Sequence, residues 1–248
     1  MSKLNIVSVN ARGLNTKEKR IKFYSWLKDS KIDIAFLQET HYIKKNENLY
    51  NCFWFGKSIR CFSDFAHSRG VSVLQKDGLD IEILDVHISN DGRKLLFNAK
   101  CHSTEITFVN IYAPNNETYR IQFFKRIKSF INNYSNNTPN IILSGDFNCK
   151  LDNLTDKSSK ILKSIISQLG LVDLWKNKHD NAEGFTWCDA ADIPKSRIDY
   201  VFLSTTLAPK TQSLHIRKIP GTHSNGTRMS DHKAIIFTLN IHEKIPEK

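Results

Sequence analysis

The segment Ile141-Ile142-Leu143-Ser144-Gly145-Asp146-Phe147-Asn148 is an apolar run that ends in Gly-Asp-x-Asn. The run is short, β-branched and bounded by turn residues, which predicts a buried strand. Gly145 permits a sharp backbone turn where that strand stops. Asp146 and Asn148 stand two residues apart, so both side chains can project the same way from the strand's end. A carboxylate beside a neutral amide at such an edge can hold a water nucleophile and a developing oxyanion. Asp and Asn are also ordinary turn formers, so the rest of the chain decides between the two uses.

Five more strand-like runs carry polar or ionisable groups at one end. Asn10 closes residues 4–9. Gln38-Glu39-Thr40 closes residues 33–37, and Tyr112-Ala113-Pro114-Asn115 closes residues 106–111. Ser196-Arg197-Ile198-Asp199-Tyr200 opens residues 201–203, and Ser230-Asp231-His232 precedes residues 234–239. Each of these has a bland reading as a turn. All six together argue for a site gathered from many strand ends, the usual placement of function on a layered sheet scaffold.

Those ends need elements to hold them. Apolar residues Ile21, Phe23, Tyr24, Trp26 and Leu27 predict a helix over 16–30. Ile121, Phe124, Ile127 and Ile131 recur at three- and four-residue steps and predict a helix over 117–134, stopped by the polar stretch 132–139. A third helix is expected over 158–169, ended by Gly170. Further strands are expected at 52–56, 70–76, 79–88, 94–101, 104–112, 184–188, 197–203, 212–218 and 234–241. Many strands with few helices predict an α/β architecture of two packed sheets flanked by helices. The chain shows no repeat or low-complexity tract. Residues 1–241 read as one domain, and 242–248 as a polar tail or the start of a linker.

The 248 residues carry 36 Lys and Arg against 25 Asp and Glu, a formal charge of +11 with a pI near 9.4. That excess favours a polyanionic partner bound through phosphate contacts and counterion release. Five cysteines, at 52, 61, 101, 149 and 188, include no Cys-x-x-Cys, which argues against a zinc site or a disulfide framework. Reduced thiols suit a nuclear or cytoplasmic protein. No apolar segment of signal-peptide or membrane-spanning length is present, so no membrane partner is expected. The remaining histidines, His41 among them, lie outside any motif and read as ordinary.

Taken in order, Asn10, Gln38-Glu39-Thr40, Tyr112-Ala113-Pro114-Asn115, Gly145-Asp146-Phe147-Asn148, Ser196-Arg197-Ile198-Asp199-Tyr200 and Ser230-Asp231-His232 resemble the endonuclease/exonuclease/phosphatase superfamily. The resemblance runs over residues 4–240. It is strongest to the endonuclease domain of LINE-type (non-LTR) retrotransposons, whose enzymes nick chromosomal DNA to prime reverse transcription. It implies a four-layered, DNase-like α/β sandwich and phosphodiester hydrolysis with Mg²⁺, for which Mn²⁺ can substitute. Glu39 would be the principal metal ligand, with Asn10 orienting that shell and Asp231 contributing. Asp146 would orient or deprotonate the attacking water, and Asn148 would position that water or the pentacovalent oxygen. His232 would donate to the phosphate with Asp199 fixing its tautomer; the alternative makes His232 the general base. Tyr112 and Asn115 would hydrogen-bond phosphate oxygens, Thr186 would support the phosphate, and Trp187 would lie by the substrate. Arg12, Arg197 and Ser230 would contact phosphate or DNA.

The implied products are a 3′-hydroxyl and a 5′-phosphate. The implied partners are double-stranded DNA, a reverse transcriptase domain in the same polyprotein, and transposon RNA. Two departures separate the chain from abasic-site repair enzymes. Arg12 stands where those enzymes carry a metal-binding Asp, and Ser196 stands where they carry a pocket-forming Trp. The loop 188–195 is short and carries Asp189 and Asp192, so weak insertion into a DNA groove and a modest, deformability-governed site preference are expected. The competing readings are an abasic-site repair endonuclease, another phosphohydrolase of the same fold, and a catalytically weak DNA-binding module.

Overall fold

The computed structural model describes residues 3–50, 52–54, 56–64, 67–153, 155–180, 182–222 and 226–241. In chain order its elements are β1 (Lys3–Asn10), α1 (Lys17–Asp29), β2 (Ile34–Gln38), α2 (Glu47–Tyr50), β3 (Gly56–Cys61), β4 (Val71–Lys76) and β5 (Ile81–Ile88). Next come β6 (Lys94–Cys101), β7 (Thr104–Tyr112), α3 (Glu117–Tyr134), β8 (Ile141–Asp146), α4 (Lys157–Gln168), β9 (Leu171–Asp173) and α5 (Leu174–Lys178). The last five are β10 (Trp187–Cys188), β11 (Pro194–Ser196), β12 (Asp199–Ser204), β13 (Thr211–Arg217) and β14 (Ala234–Asn240). Two six-stranded sheets form, in the orders β13-β14-β1-β2-β4-β3 and β5-β6-β7-β8-β12-β9, with β10 and β11 as a separate hairpin. Both large sheets are mixed, because β1 runs parallel to β2 and β7 parallel to β8 while their other neighbours are antiparallel.

The sheets pack face to face through Phe36, Phe97, Phe108, Leu203 and Phe237, and Phe97 stacks on Phe108 at 4.7 Å. On the outer face of the first sheet, Phe23 and Leu27 of α1 pack on Val7, Val9 and Leu37. On the outer face of the second, α3 and α4 bury Phe124, Ile127 and Leu162 against Val109, Leu143 and Phe202. Each such side chain withdrawn from water contributes roughly 1.5–3 kcal/mol. The expected four-layered α/β sandwich is therefore the observed one. The helices begin at side-chain caps: Thr16 accepts from the Lys19 amide, Asn116 from Tyr119, and Asp156 from Ser158 and Ser159.

Strand alternation positions the site. Inward-facing positions run Leu4, Ile6, Ser8, Asn10 on β1; Ile34, Phe36, Gln38 on β2; Phe108, Asn110, Tyr112 on β7; and Ile142, Ser144, Asp146 on β8. The same period that builds an apolar core thus turns polar at one end of both sheets. Tyr112 pairs with Asp146, which pairs with Asp199, in one continuous ladder. Beneath them Gln38 donates to Asn110 at 2.7 Å, and Asn110 donates to the carbonyls of Leu37 and Ser72, locking sheet to sheet.

Several expectations shift. Gly145 lies within β8 rather than in a turn. Its φ is +147°, and a Cβ there would stand 2.0 Å from the Ile111 carbonyl oxygen, so its role is close approach to β7. The strand expected at 52–56 begins at Gly56 instead, and 52–53 form a turn. The strand expected at 184–188 contracts to β10, and 242–248 lie outside the described residues. Among the described residues no helix is long and apolar enough to cross a membrane.

Candidate active site

Asp146 ends β8, Asp199 opens β12, and His232 lies just before β14. All three are buried, and their ligating atoms lie within 4.8 Å of one another. His232 Nδ1 sits 2.9 and 3.0 Å from the two Asp199 oxygens, and Nε2 sits 4.0 Å from Asp146 Oδ2. The surroundings hold this geometry at both ends. Thr186 Oγ1 accepts from the amides of Ile198 and Asp199 at 3.1 Å, fixing the start of β12. Ser230 Oγ donates to the Asn10 carbonyl at 2.8 Å and accepts from the His232 amide at 3.1 Å. A bridge between Trp187 and His232 strings the 231–233 segment along the β10 hairpin.

Burial and the neighbouring Asp199 charge raise the Asp146 pKa, against the pull of His232 and hydrogen bonds from Asn10 and Asn148. Burial alone would neutralise His232, but the carboxylates of Asp199, Asp146 and Asp231 overcome it and raise its pKa. The imidazolium therefore persists at neutral pH beside a carboxylate whose proton affinity is raised. One group can donate to a phosphate oxygen and the other can accept a proton from water. Asn148, at φ +49°, gives its backbone N–H to Asp146 Oδ1 and turns its amide onto the Ala113 carbonyl, each at 2.9 Å.

Glu39 lies opposite, one residue past β2. Burial raises its pKa, but hydrogen bonds from His41, Asn10 and Tyr112 outweigh that and hold it at about 2. It is an ionised oxygen donor at any working pH, the hard ligand that Mg²⁺ takes. Tyr112 is nearly buried, and its pKa rises because of burial and the charges of Glu39 and Asp146. Its hydroxyl oxygen also lies 3.4 Å from Asn115 Oδ1.

One cavity of about 360 Å³ gathers Glu39, Asp146, Asn148, Asp231 and His232 with Arg12, Asn115, Trp187, Ser196 and Ile198. Two of the three expected metal residues are otherwise engaged. Asn10 places its amide nitrogen between the carboxylates of Glu39 and Asp146, 2.9 Å from each, while its oxygen accepts from the Arg12 amide. Flanking negative charge fixes that orientation, which makes Asn10 a hydrogen-bond bridge between the two carboxylates. Asp231 faces the cavity, but it pairs with the Arg12 guanidinium at 3.2 Å and accepts from Trp187 Nε1 at 3.3 Å.

Three expected phosphate contacts are structural instead. Arg197 is buried, ion-paired to Asp173 at 2.8 Å and set 4.7 Å over the Tyr200 ring, so it clamps β9 to the start of β12. Thr186 is fully buried under the two amides it receives, and Ser230 spends its hydroxyl on the chain. The 188–195 loop is also less acidic than its composition. Asp189 pairs with Lys195 and accepts backbone bonds from Ala191 and Ile193, while Asp192 pairs with Lys218 and Arg228.

Sequence reasoning missed three basic side chains at the site. His41 Nε2 stands 3.4 Å from Glu39. Arg93 lies 4.9 Å over the Tyr112 ring and donates to the Tyr112 carbonyl. Lys19 donates to the Arg12 carbonyl at 2.8 Å. His41 carried one signal, its place two residues after Glu39; Lys19 and Arg93 carried none.

The model of the Endonuclease/Exonuclease/phosphatase family matches residues 7–232. The chain is 27% identical over 257 residues to a transposon TX1 uncharacterized 149 kDa protein of Xenopus laevis, covering 98% of this chain and 19% of that protein. It thus spans about a fifth of that relative's length. It is 22% identical to an exodeoxyribonuclease of Bacillus subtilis over 96% of this chain and 100% of the relative. Among solved structures, an AP endonuclease from Leishmania major superposes with a TM-score of 0.80 at 15% identity, over 97% of this chain and 88% of that one.

Proposed function

The chain belongs to the endonuclease/exonuclease/phosphatase family, and from that premise we propose that it is a metal-dependent DNA endonuclease. On this reading it nicks a target strand by phosphodiester hydrolysis and leaves a 3′-hydroxyl that primes reverse transcription of a retrotransposon. Residues 1–241 would form the catalytic domain. The observation that carries the reading is the buried Asp146–His232–Asp199 constellation, whose Asp146 and His232 share one cavity with the ionised Glu39. The similarity to a transposon protein and to an exodeoxyribonuclease supports DNA as substrate, as does the +11 charge.

The donor set is all oxygen and fits a hard divalent cation. Glu39 would hold it, joined by Asp231 once Arg12 turns to substrate. When bound, Mg²⁺ supplies polarisation of a phosphate oxygen and charge stabilisation at the leaving oxygen, and Mn²⁺ would serve in its place. Asp146 accepts the proton of the attacking water, helped by the charge of Asp199 that raises its basicity. His232, held by Asp199, donates to a non-bridging phosphate oxygen and stabilises charge as the phosphorus becomes five-coordinate. Asn10 aligns Glu39 and Asp146 through its bridging amide. Tyr112 and Asn115 hydrogen-bond the phosphate, and Arg12 neutralises it. A reverse transcriptase and transposon RNA would be the downstream partners.

The test is supercoiled plasmid incubated with Mg²⁺, beside Asp146→Ala, His232→Ala and an EDTA control. Relaxed circles from the parent alone are expected. DNA binding without nicking by the parent would reduce the chain to a binding module.

A further inference from the structure

Lys19 is a buried ammonium with no directly paired carboxylate among the described residues. It sits in the first turn of α1 and is 5% exposed. Its Nζ donates one hydrogen bond, to the Arg12 carbonyl, and among the described residues no carboxylate lies within ion-pairing distance. Among the other buried cations, Arg120 pairs with Asp156 and Arg197 with Asp173, whereas Arg20 and Arg60 donate to carbonyls, those of Leu14 and Asn15 and that of Tyr50. Three unfavourable conditions meet at Lys19: loss of water, the positive end of a 13-residue helix, and the nearby Arg12 guanidinium. Burial and then Arg12 lower its pKa to about 8, although Asp231 and Glu39 oppose them.

Lys19 lines a cavity of about 560 Å³ shared with Arg12, Thr222, Arg228 and Met229. Asp192, the one carboxylate on that lining, is neutralised by Lys218 and Arg228. Arg12 lines both this cavity and the catalytic one, so the two adjoin. An anion held here would have to be continuous with whatever fills the catalytic pocket.

We propose that this cavity is a second anion subsite, built on Lys19, which takes a backbone phosphate of the nucleic acid flanking the one being hydrolysed. The inference rests on the DNA reading above and adds a location to it. A phosphate there supplies a directly paired counter-charge and accepts further ammonium protons. Arg12, between the two cavities, sets the spacing of the two phosphates.

The experiment is a cycle between protein and DNA variants. Affinity is measured in EDTA, so that no strand is cut, for duplexes carrying one neutral methylphosphonate at successive positions. The proteins are the parent chain, Lys19→Met, Lys19→Gln and Lys19→Arg, each confirmed folded by thermal melting. One position near the nick site is expected to weaken parent binding and to leave Lys19→Met and Lys19→Gln unaffected. The slope of log affinity against log salt should fall by about 0.9 in those two variants, the value for one lost phosphate contact. Lys19→Arg should keep the slope. If the parent binds the duplex but every methylphosphonate position weakens parent and Lys19 variants alike, the subsite is wrong and the DNA reading stands. If the parent does not bind the duplex at all, the DNA reading itself fails and takes the subsite with it.

Discussion

The floor and the rim of this site are built on opposite principles. On the floor, Asp146, His232 and Asp199 are buried, closely spaced and held from both sides by Thr186, Ser230 and the β10 hairpin. At the rim, Arg12 is 57% exposed on its side chain and its pair with Asp231 is open to water, with the buried Lys19 bonded to its carbonyl from beneath. A buried ion pair is costly to break because the charge left behind has no solvent. An exposed one is worth little, generally under about 1 kcal/mol. The floor is therefore preorganised for chemistry, and the rim is free to exchange its partners for phosphate.

That contrast orders the expected effects. Asp146→Ala or His232→Ala should lower the nicking rate by about 10³-fold or more, within the range of lost general acid–base groups, at nearly unchanged DNA affinity. Steady-state nicking beside a binding titration checks it; a fall in affinity with an intact rate would move those residues to the rim class.

Asp199→Asn should cost about 10²-fold in rate and displace the alkaline limb of the pH profile. The sign follows from the raised His232 pKa. The pairing stabilises the fold fully below the ordinary histidine value and is lost as pH rises through the raised one. Without the Asp199 charge that loss should come at lower pH. A limb that stays in place would detach His232 from Asp199.

Glu39 gives a smaller, conditional effect of the opposite sign. Its folded pKa of about 2 lies below its ordinary 4.5, so its stabilisation is present above 4.5 and lost as pH falls through 2. That shift corresponds to about 3 kcal/mol as an order of magnitude. Glu39→Gln should flatten the acid limb of thermal stability in that window and weaken divalent-ion binding by calorimetry. An unchanged acid limb would remove its hydrogen bonds from the account.

The smallest effect belongs to the rim. Arg12→Asp should change melting by no more than a surface pair allows and should tighten divalent-ion binding by freeing Asp231 and adding a carboxylate. Calorimetry with Mg²⁺ decides it.

The floor was legible in the sequence because strand alternation and residue type specify it together. Asn10, Glu39, Tyr112, Asp146, Asp199 and His232 each follow or open an apolar run, and the period of two carries Asn10, Tyr112, Asp146 and Asp199 to one face. The rim was not legible because its partners lie far apart in the chain. Asp192 meets Lys218 and Arg228, and Lys19 adjoins a cavity also lined by Thr222, Arg228 and Met229. Local backbone added to the gap. Glu39 and His41 both take positive φ, at 47° and 59°, which nothing in Gln-Glu-Thr-His announces. The fold was misjudged at 52–56, where the strand begins only at Gly56, and in the short elements: 184–188 contracts to two residues, and β9, β11, α2 and α5 went unread because two to five residues carry no period.

The central claim is that the floor hydrolyses a DNA phosphodiester and leaves an extendable end. The most direct measurement is nucleotide incorporation by a DNA polymerase at nicks made with Mg²⁺, without phosphatase pretreatment, comparing the parent with Asp146→Ala. The account predicts extension after treatment with the parent and none after treatment with the variant. Nicks that extend only once a 3′-phosphate has been removed, or equal nicking by Asp146→Ala, would contradict it.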